Sequence, residues 1–317
     1  MLRDDFAEII LRQTTGHNPR LPKEEASVIK LMVRRALRLL GYDILKIPPR
    51  KRISPVHEPP AVPPVWPLPR RAQMLTNEDI RNEFARHPFW HYAYQFDGGL
   101  SFQTSHSNPG LDTDDPMRPL QRFRHFMPYL VQSQGGTLKG KRILDIACNS
   151  GFWSIQCALL GADVVGFDAR PELIEEANLL KSITGINNAE FKVLDFWKMS
   201  LETLGGKFDV VLNLGFLYHV PKPLEALELT KTMARSHILL DTALYPSDEF
   251  ALYLKWEEPT DIRMAAHAGV VALPTRSSIE LLLRHVKFND WLQIPVRTKE
   301  LPVDYLTGRR ASWLIEV

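Results

Sequence analysis

Arg142-Ile143-Leu144-Asp145-Ile146-Ala147-Cys148-Asn149-Ser150-Gly151, followed at once by Phe152 and Trp153, is the stretch on which the fold turns. Ile143, Leu144 and Ile146 give the apolar run of a strand buried on both faces of a parallel sheet. Asn149, Ser150 and Gly151 suit a tight turn whose backbone can approach a ligand closely. The apolar residues beyond it open a helix. Strand, small-residue turn and helix in that order form a cradle for a nucleotide-like cofactor. A second apolar run, 163–167, ends in Asp168, 17 residues past Gly151. A carboxylate at that distance is placed to accept both hydrogen bonds of a ribose diol. A nicotinamide dinucleotide would instead require a phosphate-binding glycine turn leading directly into a helix N-terminus. Here the bulky pair Phe152 and Trp153 takes that place.

Residues 191–194 read as a third strand closing on Leu194-Asp195-Phe196. A fourth, beginning at Phe208-Asp209-Val210-Val211, spills through Asn213 into Gly215-Phe216-Leu217-Tyr218-His219. This series resembles the class I S-adenosylmethionine-dependent methyltransferases over residues 141–317. The resemblance implies an α/β fold, a Rossmann-like seven-stranded methyltransferase sheet with helices on both faces, preceded by an N-terminal helical extension and a lid segment. It implies S-adenosyl-L-methionine as cofactor. Asp145, Ala147, Asn149 and Gly151 would then bring backbone to the methionine end, Asp168 would hold the ribose, and Asp195 with Phe196 would offer adenine a polar and a flat partner. Asn213, Tyr218 and Trp90 complete the expected cofactor-binding set. Ala147 and Asn149 stand where family members usually have glycines, and the Ala147 methyl narrows the space beside the methionine moiety.

A Trp-containing lead-in, the LKGKRILDIACNSGFWS cradle, NLGFLYH with Pro221 and Pro223 soon after, and a late LPTRSSIELLLRHVKF segment resemble one branch in particular. It is similar to the enzymes that modify the 5-oxy group of the tRNA wobble uridine. In that branch the tyrosine matching Tyr218 helps hold a carboxylated cofactor. Methyl transfer is an in-line displacement that depends on aligning a nucleophile at near-attack distance. A hydroxyl nucleophile must also lose its proton, a task suited to histidine. His219, just past the fourth strand, and His91, in the lead-in, are the candidate catalytic bases, with His106 a further rival. His219 could equally cap its own loop. The expected reaction is O-methylation of a small molecule or glycan hydroxyl. A tRNA wobble-uridine (carboxy)methyltransferase is the alternative, and a non-catalytic cofactor-binding scaffold a third reading.

The 317 residues, 44% hydrophobic and 24% charged, suffice for one α/β core and an accessory region. The net charge of +2 conceals an asymmetry, because residues 1–75 hold 14 Lys and Arg against 7 Asp and Glu. Residues 1–46 are expected to form a basic helical region. Its helix at 27–40 has a basic face that could touch RNA phosphate or a membrane surface, or simply remain solvated. Residues 47–75 read as a Pro-rich linker, spacing that helix from the rest or draping over the surface. Residues 76–140 read as an aromatic lead-in and lid, in which at least one ring lines the pocket and others plug the core. Residues 141–317 form the cofactor-binding core. Within it, 171–183, 223–234 and 277–285 are expected helices, 237–240 a fifth strand, and 291–295 with 311–317 a closing pair. Residues 245–274 are a long insertion. Cys148 and Cys157 fit reduced structural thiols and no metal set. No apolar run has the length of a membrane span, and the opening residues do not read as a signal peptide, so a cytoplasmic protein, with peripheral membrane contact through the basic helix, is expected.

Overall fold

The computed structural model describes residues 58–71, 75–87, 89–103, 117–261 and 263–317, which all belong to one compact unit. The expected basic helix at 27–40, the rest of the 1–57 region and His106 lie outside the described residues. Among the described residues no helix is long and apolar enough to cross a membrane.

A seven-stranded sheet organises the unit. Its strands are β3 (Arg142–Ile146), β4 (Asp163–Asp168), β5 (Ala189–Val193), β6 (Phe208–Leu214), β7 (Ala234–Ala243), β10 (Asp290–Gln293) and β11 (Arg310–Glu316). They lie in the order β10-β11-β7-β6-β3-β4-β5. The five strands from β7 to β5 are parallel, and β11 runs antiparallel to both of its neighbours. Successive strands step outward from β3 on one side and from β6 on the other. The carboxyl ends of the parallel strands therefore frame a crevice where the winding reverses, the place where open α/β sheets bind ligands.

Alternation along the central strands divides the core. Ile143, Val164, Val210 and Leu212 pack on one face with Phe123, Phe126, Phe152 and Leu180. Leu144, Val165, Val211 and Ile238 pack on the other with Leu227, Ile279 and Trp313. The first layer comprises α2 (Arg118–Ser133), α3 (Phe152–Leu159) and α4 (Pro171–Thr184); the second includes α5 (Pro223–Met233) and α6 (Arg276–His285). Proline at the first turn of α4 and α5 costs no hydrogen bond there. Gly185 in the left-handed conformation ends α4.

Two segments outside the main sheet gain definition in the structure. Residues 58–71 are packed against the fold: Gln156 exchanges two 2.9 Å hydrogen bonds with the Val65 backbone, and Leu68 is buried. The long insertion at 245–274 contains β8 (Leu252–Glu257) and β9 (Gly269–Pro274), which pair as an antiparallel hairpin. In the lead-in, α1 (Asn77–Arg86), with a complete capping box at Thr76 and Asp79, precedes the short hairpin β1 (Tyr94–Phe96) and β2 (Leu100–Phe102). The Tyr94 hydroxyl lies 2.7 Å from Ser150 Oγ, fastening this hairpin to the turn after β3.

Candidate active site

The turn after β3 achieves its shape with few glycines. Ala147 and Asn149 take φ of 51° and 52°, the left-handed region that non-glycine residues enter at a cost, and the Asn149 side chain offsets part of it by accepting from the Ser150 amide at 2.7 Å. Gly151, at φ 81°, is required for space as well, since a Cβ there would lie 2.9 Å from the Phe191 ring. Beneath the turn, Asp145 is fully buried and accepts from Ser154 Oγ at 2.7 Å. Burial pushes its pKa up to about 7, against the lowering effect of that hydrogen bond.

This turn borders a cavity of about 360 Å³ at the carboxyl ends of the strands. Asp168, at the end of β4, presents one oxygen to the Asn149 amide and the other to the Arg170 amide, each at 3.1 Å. Each oxygen retains a lone pair, so the carboxylate can still accept from two vicinal hydroxyls. Burial raises its pKa, while the backbone donors work the other way. An adjoining cavity of about 320 Å³ shares Ala169, Phe196, Phe216 and His219 with the first and is bordered by Asp195. Asp195 Oδ1 accepts from the Trp197 amide at 2.8 Å, and its other oxygen lies 3.3 Å from His267 Nε2.

Of the residues expected from sequence, His91, Ala147, Asn149, Asp168, Phe196, Tyr218 and His219 border the main cavity. Asp195 borders the adjoining one. Asp145 and Gly151 shape the turn from behind. Asn213 is buried within the sheet layer, its amide 3.5 Å from Thr230 Oγ1, and Trp90 stacks on Phe84 at 4.2 Å and donates to the Phe84 carbonyl. Neither borders either of these two cavities. Beside His91, the lead-in places the Tyr92 ring on the main cavity.

Sequence reading missed the basic wall and its carboxylates. Arg118 and Arg122 of α2, Arg310 of β11, and Lys255 and Glu257 of β8 all border the cavity. Arg122 and Arg310 share the buried Asp241, whose Oδ1 accepts from both at 2.7 Å; its Oδ2 accepts from Ser312 Oγ at 2.7 Å and from the Tyr305 hydroxyl. Burial opposes the charge on Asp241, but the two guanidiniums prevail and hold its pKa well below the usual range. Arg118 pairs with Asp304 at 2.6 Å. Beside this wall, the Arg310 guanidinium carbon is 5.5 Å from the Tyr218 ring centre. Burial would raise the Tyr218 phenol, yet His219 and Arg310 bring it down to about 8. The signal for Arg118 and Arg122 was available, since cations one helical turn apart on a buried stripe seldom lack a purpose. Nothing local marks Arg310 or Glu257.

His219 Nδ1 lies 2.7 Å from Glu257 Oε2. Burial disfavours the imidazolium, but Tyr218 and Glu257 outweigh it and raise the His219 pKa above the ordinary histidine value. Glu257 is in turn held down to about 2, against burial, chiefly by its bond and charge interaction with His219.

Residues 118–293 match the family described as Methyltransferase domain, which is more than half of the chain. The chain belongs to the methyltransferase domain family. Residues 118–293 are its methyltransferase domain as that family model delimits it. Among curated proteins, the ubiquinone biosynthesis O-methyltransferase of Acinetobacter baumannii (strain AYE) is 26% identical over 133 residues, covering 41% of this chain and 56% of the relative. The protein of the same name from Bordetella avium (strain 197N) is 30% identical over 112 residues, covering 35% and 46%. The chain thus spans about half the length of these relatives. Among solved structures, the N-terminal domain of EvdMO1, determined in the presence of SAH and D-fucose, superposes with a TM-score of 0.59 at 20% identity, over 78% of this chain and 97% of that one. That likeness speaks for the fold alone.

Proposed function

We propose that this methyltransferase transfers a methyl group from S-adenosylmethionine to a hydroxyl of a small molecule or glycan, with His219 as general base. The observation that carries the reading is the placing of His219 on the wall common to both cavities, with Nδ1 engaged and no partner on Nε2 among the described residues. The names of the curated O-methyltransferase relatives accord with an oxygen acceptor. The residues present fit the cofactor. Asp168 keeps two lone pairs for a diol, the left-handed turn brings backbone to the cavity edge, and Phe196 and Phe216 offer flat faces between the chambers. Bound there, S-adenosylmethionine supplies an electrophilic methyl group on a cationic sulfonium. His219 Nε2 would take the acceptor's hydroxyl proton as the oxygen attacks, a contribution of about 10²–10⁴ in rate. Tyr92, Phe196 and Tyr218 exclude water from the reacting groups.

A second reading concerns the donor, and the basic wall favours it. Among the described residues Arg118, Arg122 and Arg310 pair with two carboxylates, Asp241 and Asp304, which leaves one buried positive charge in excess beside Tyr218. A donor carrying an extra carboxylate would balance it, and the reaction would then be carboxymethyl transfer. Calorimetry separates the two. S-adenosylmethionine binding, weakened by about 1.5–3 kcal/mol in Asp168→Ala, is expected on the first reading. An affinity at least tenfold higher for the carboxylated donor would establish the second, and binding of neither would sink both. Mass spectrometry of metabolites, glycans and RNA with and without the active protein then identifies the acceptor by the added mass.

A further inference from the structure

We propose that Glu257, carried by the β8–β9 hairpin, is the positioning residue of the catalytic base: it holds the His219 ring by Nδ1 and so fixes Nε2 as the atom that receives the acceptor's proton. The inference rests on the reading of His219 as the base. His219 and Glu257 come from different parts of the fold, one from the turn after β6 and the other from the last position of β8, in a hairpin outside the main sheet. Their side chains are 12% and 2% exposed, so their 2.7 Å contact is shielded from water. Glu257 is itself built in. Its Oε2 also accepts from the Ala265 amide at 2.9 Å, and its Oε1 lies 2.6 Å from Lys255 Nζ.

The chemistry follows from imidazole tautomerism. A carboxylate facing Nδ1 keeps the proton on that nitrogen, leaves the lone pair on Nε2, and stabilises the imidazolium once Nε2 has accepted a proton. No atom is exchanged with Glu257; the acceptor proton moves to Nε2 and later leaves to solvent. Other groups around the ring modulate its proton affinity. Tyr218 lies beside it, tilted by 42° with ring centres 4.0 Å apart, and is backed by Arg310, while Lys255 opposes protonation from β8. The Asp195–His267 pair borders the adjoining cavity. Strand β9, which packs against this turn, carries no titratable side chain, and α5 buries Pro223, Ala226, Leu227, Thr230 and Met233.

The test is histidine-selective nitrogen-15 NMR on the full chain, comparing wild type with Glu257→Gln and Glu257→Asp and assigning His219 from its loss in His219→Asn. The wild type should show the Nδ1–H tautomer and a midpoint above that of a free histidine. Glu257→Gln should lower the midpoint by about one pH unit or more, the scale for losing an adjacent carboxylate, and Glu257→Asp should restore part of it. The pH dependence of tritiated methyl transfer from S-adenosylmethionine to a deproteinised small-molecule extract should move its acid limb by the same amount. Thermal melting and S-adenosylmethionine calorimetry show whether each variant is folded. A folded Glu257→Gln protein with unchanged tautomer and midpoint would overturn the proposal, as would an unmoved acid limb. Failure of wild type to bind S-adenosylmethionine would instead overturn the methyltransferase reading, and the NMR comparison would still decide whether Glu257 governs His219.

Discussion

Asp241 accepts four hydrogen bonds with two oxygens, and the sharpest prediction at the scale of one residue concerns it. Its partners Arg122, Arg310, Tyr305 and Ser312 come from α2, from β11 and from the short helix α7 (Val303–Leu306), so one carboxylate ties the cavity wall to the sheet. Replacing a buried ion pair with apolar residues can be neutral, whereas removing one partner leaves a charge stranded in a poor solvent. Asp241→Asn is nearly isosteric and leaves Arg122 and Arg310 buried without their shared counter-charge. It should destabilise the fold by about 3–5 kcal/mol in urea denaturation. A loss below 1 kcal/mol would mean that water or Asp304 compensates the guanidiniums. The residues around Asp241 also show where sequence reading stops. Asp168 announces itself by ending an apolar run at a fixed distance from the turn, but Arg310 meets Asp241 and Tyr218 only because β11 runs antiparallel to β7 and sets Ser312 opposite Asp241. That register is a property of the folded sheet.

At the scale of the element, the β8–β9 hairpin governs access to the cavity. Arg170, two residues past Asp168, donates through Nη2 to the carbonyls of Asp261 and Ala265 at 3.1 Å each, clasping the hairpin loop beside the end of β4. The same loop brings Arg263, Met264, Ala265 and Ala266 to the cavity wall. Arg170→Ala should therefore speed amide hydrogen exchange in residues 263–267 at least tenfold while β3 and β6 keep their protection. Cofactor dissociation should also quicken. Unchanged exchange in that loop would show that Glu257 alone fastens it. The core helices and strands were legible because each carries one period throughout, as in 171–184 and 208–214. The hairpin was not, because its alternation is inverted. Leu252, Leu254 and Trp256 point outward and are exposed, while Lys255 and Glu257 point toward the cavity. β8 offers no buried apolar face, and its polar face takes its meaning only from His219, 38 residues away. Trp90 shows the converse: its aromatic surroundings suggested a site, but a stack on Phe84 satisfies the ring within the core.

For the whole molecule, the buried acids set how stability depends on pH. Burial, with a smaller contribution from Glu172, pushes Glu176 up to about 8, and burial lifts Asp145 to about 7. An acid whose pKa rises on folding binds its proton more tightly in the native state, so stability is lost as pH climbs from the unfolded value toward the folded one. His219, raised above 6.5, acts in the same sense, since its contribution is complete below 6.5 and fades as pH passes its folded midpoint. The depressed groups work elsewhere. Glu257, held down to about 2, loses its contribution only below about 4.5, and His125, lowered to about 4 by burial, matters below 6.5. Between pH 6.5 and 8 the raised groups therefore act together, and the melting temperature should fall across that window. Glu176 is the member best suited to a test, because it lies away from the cavity and its Oε2 has no hydrogen bond among the described residues. Glu176→Gln keeps the shape and removes the ionisation. Its stability advantage over wild type should widen from pH 6.5 to 8 by at most about 2 kcal/mol, the product of that interval and about 1.4 kcal/mol per pH unit. Parallel stability curves for the two proteins would mean that Glu176 is already ionised below pH 6.5, with solvent reaching its carboxylate in the folded state.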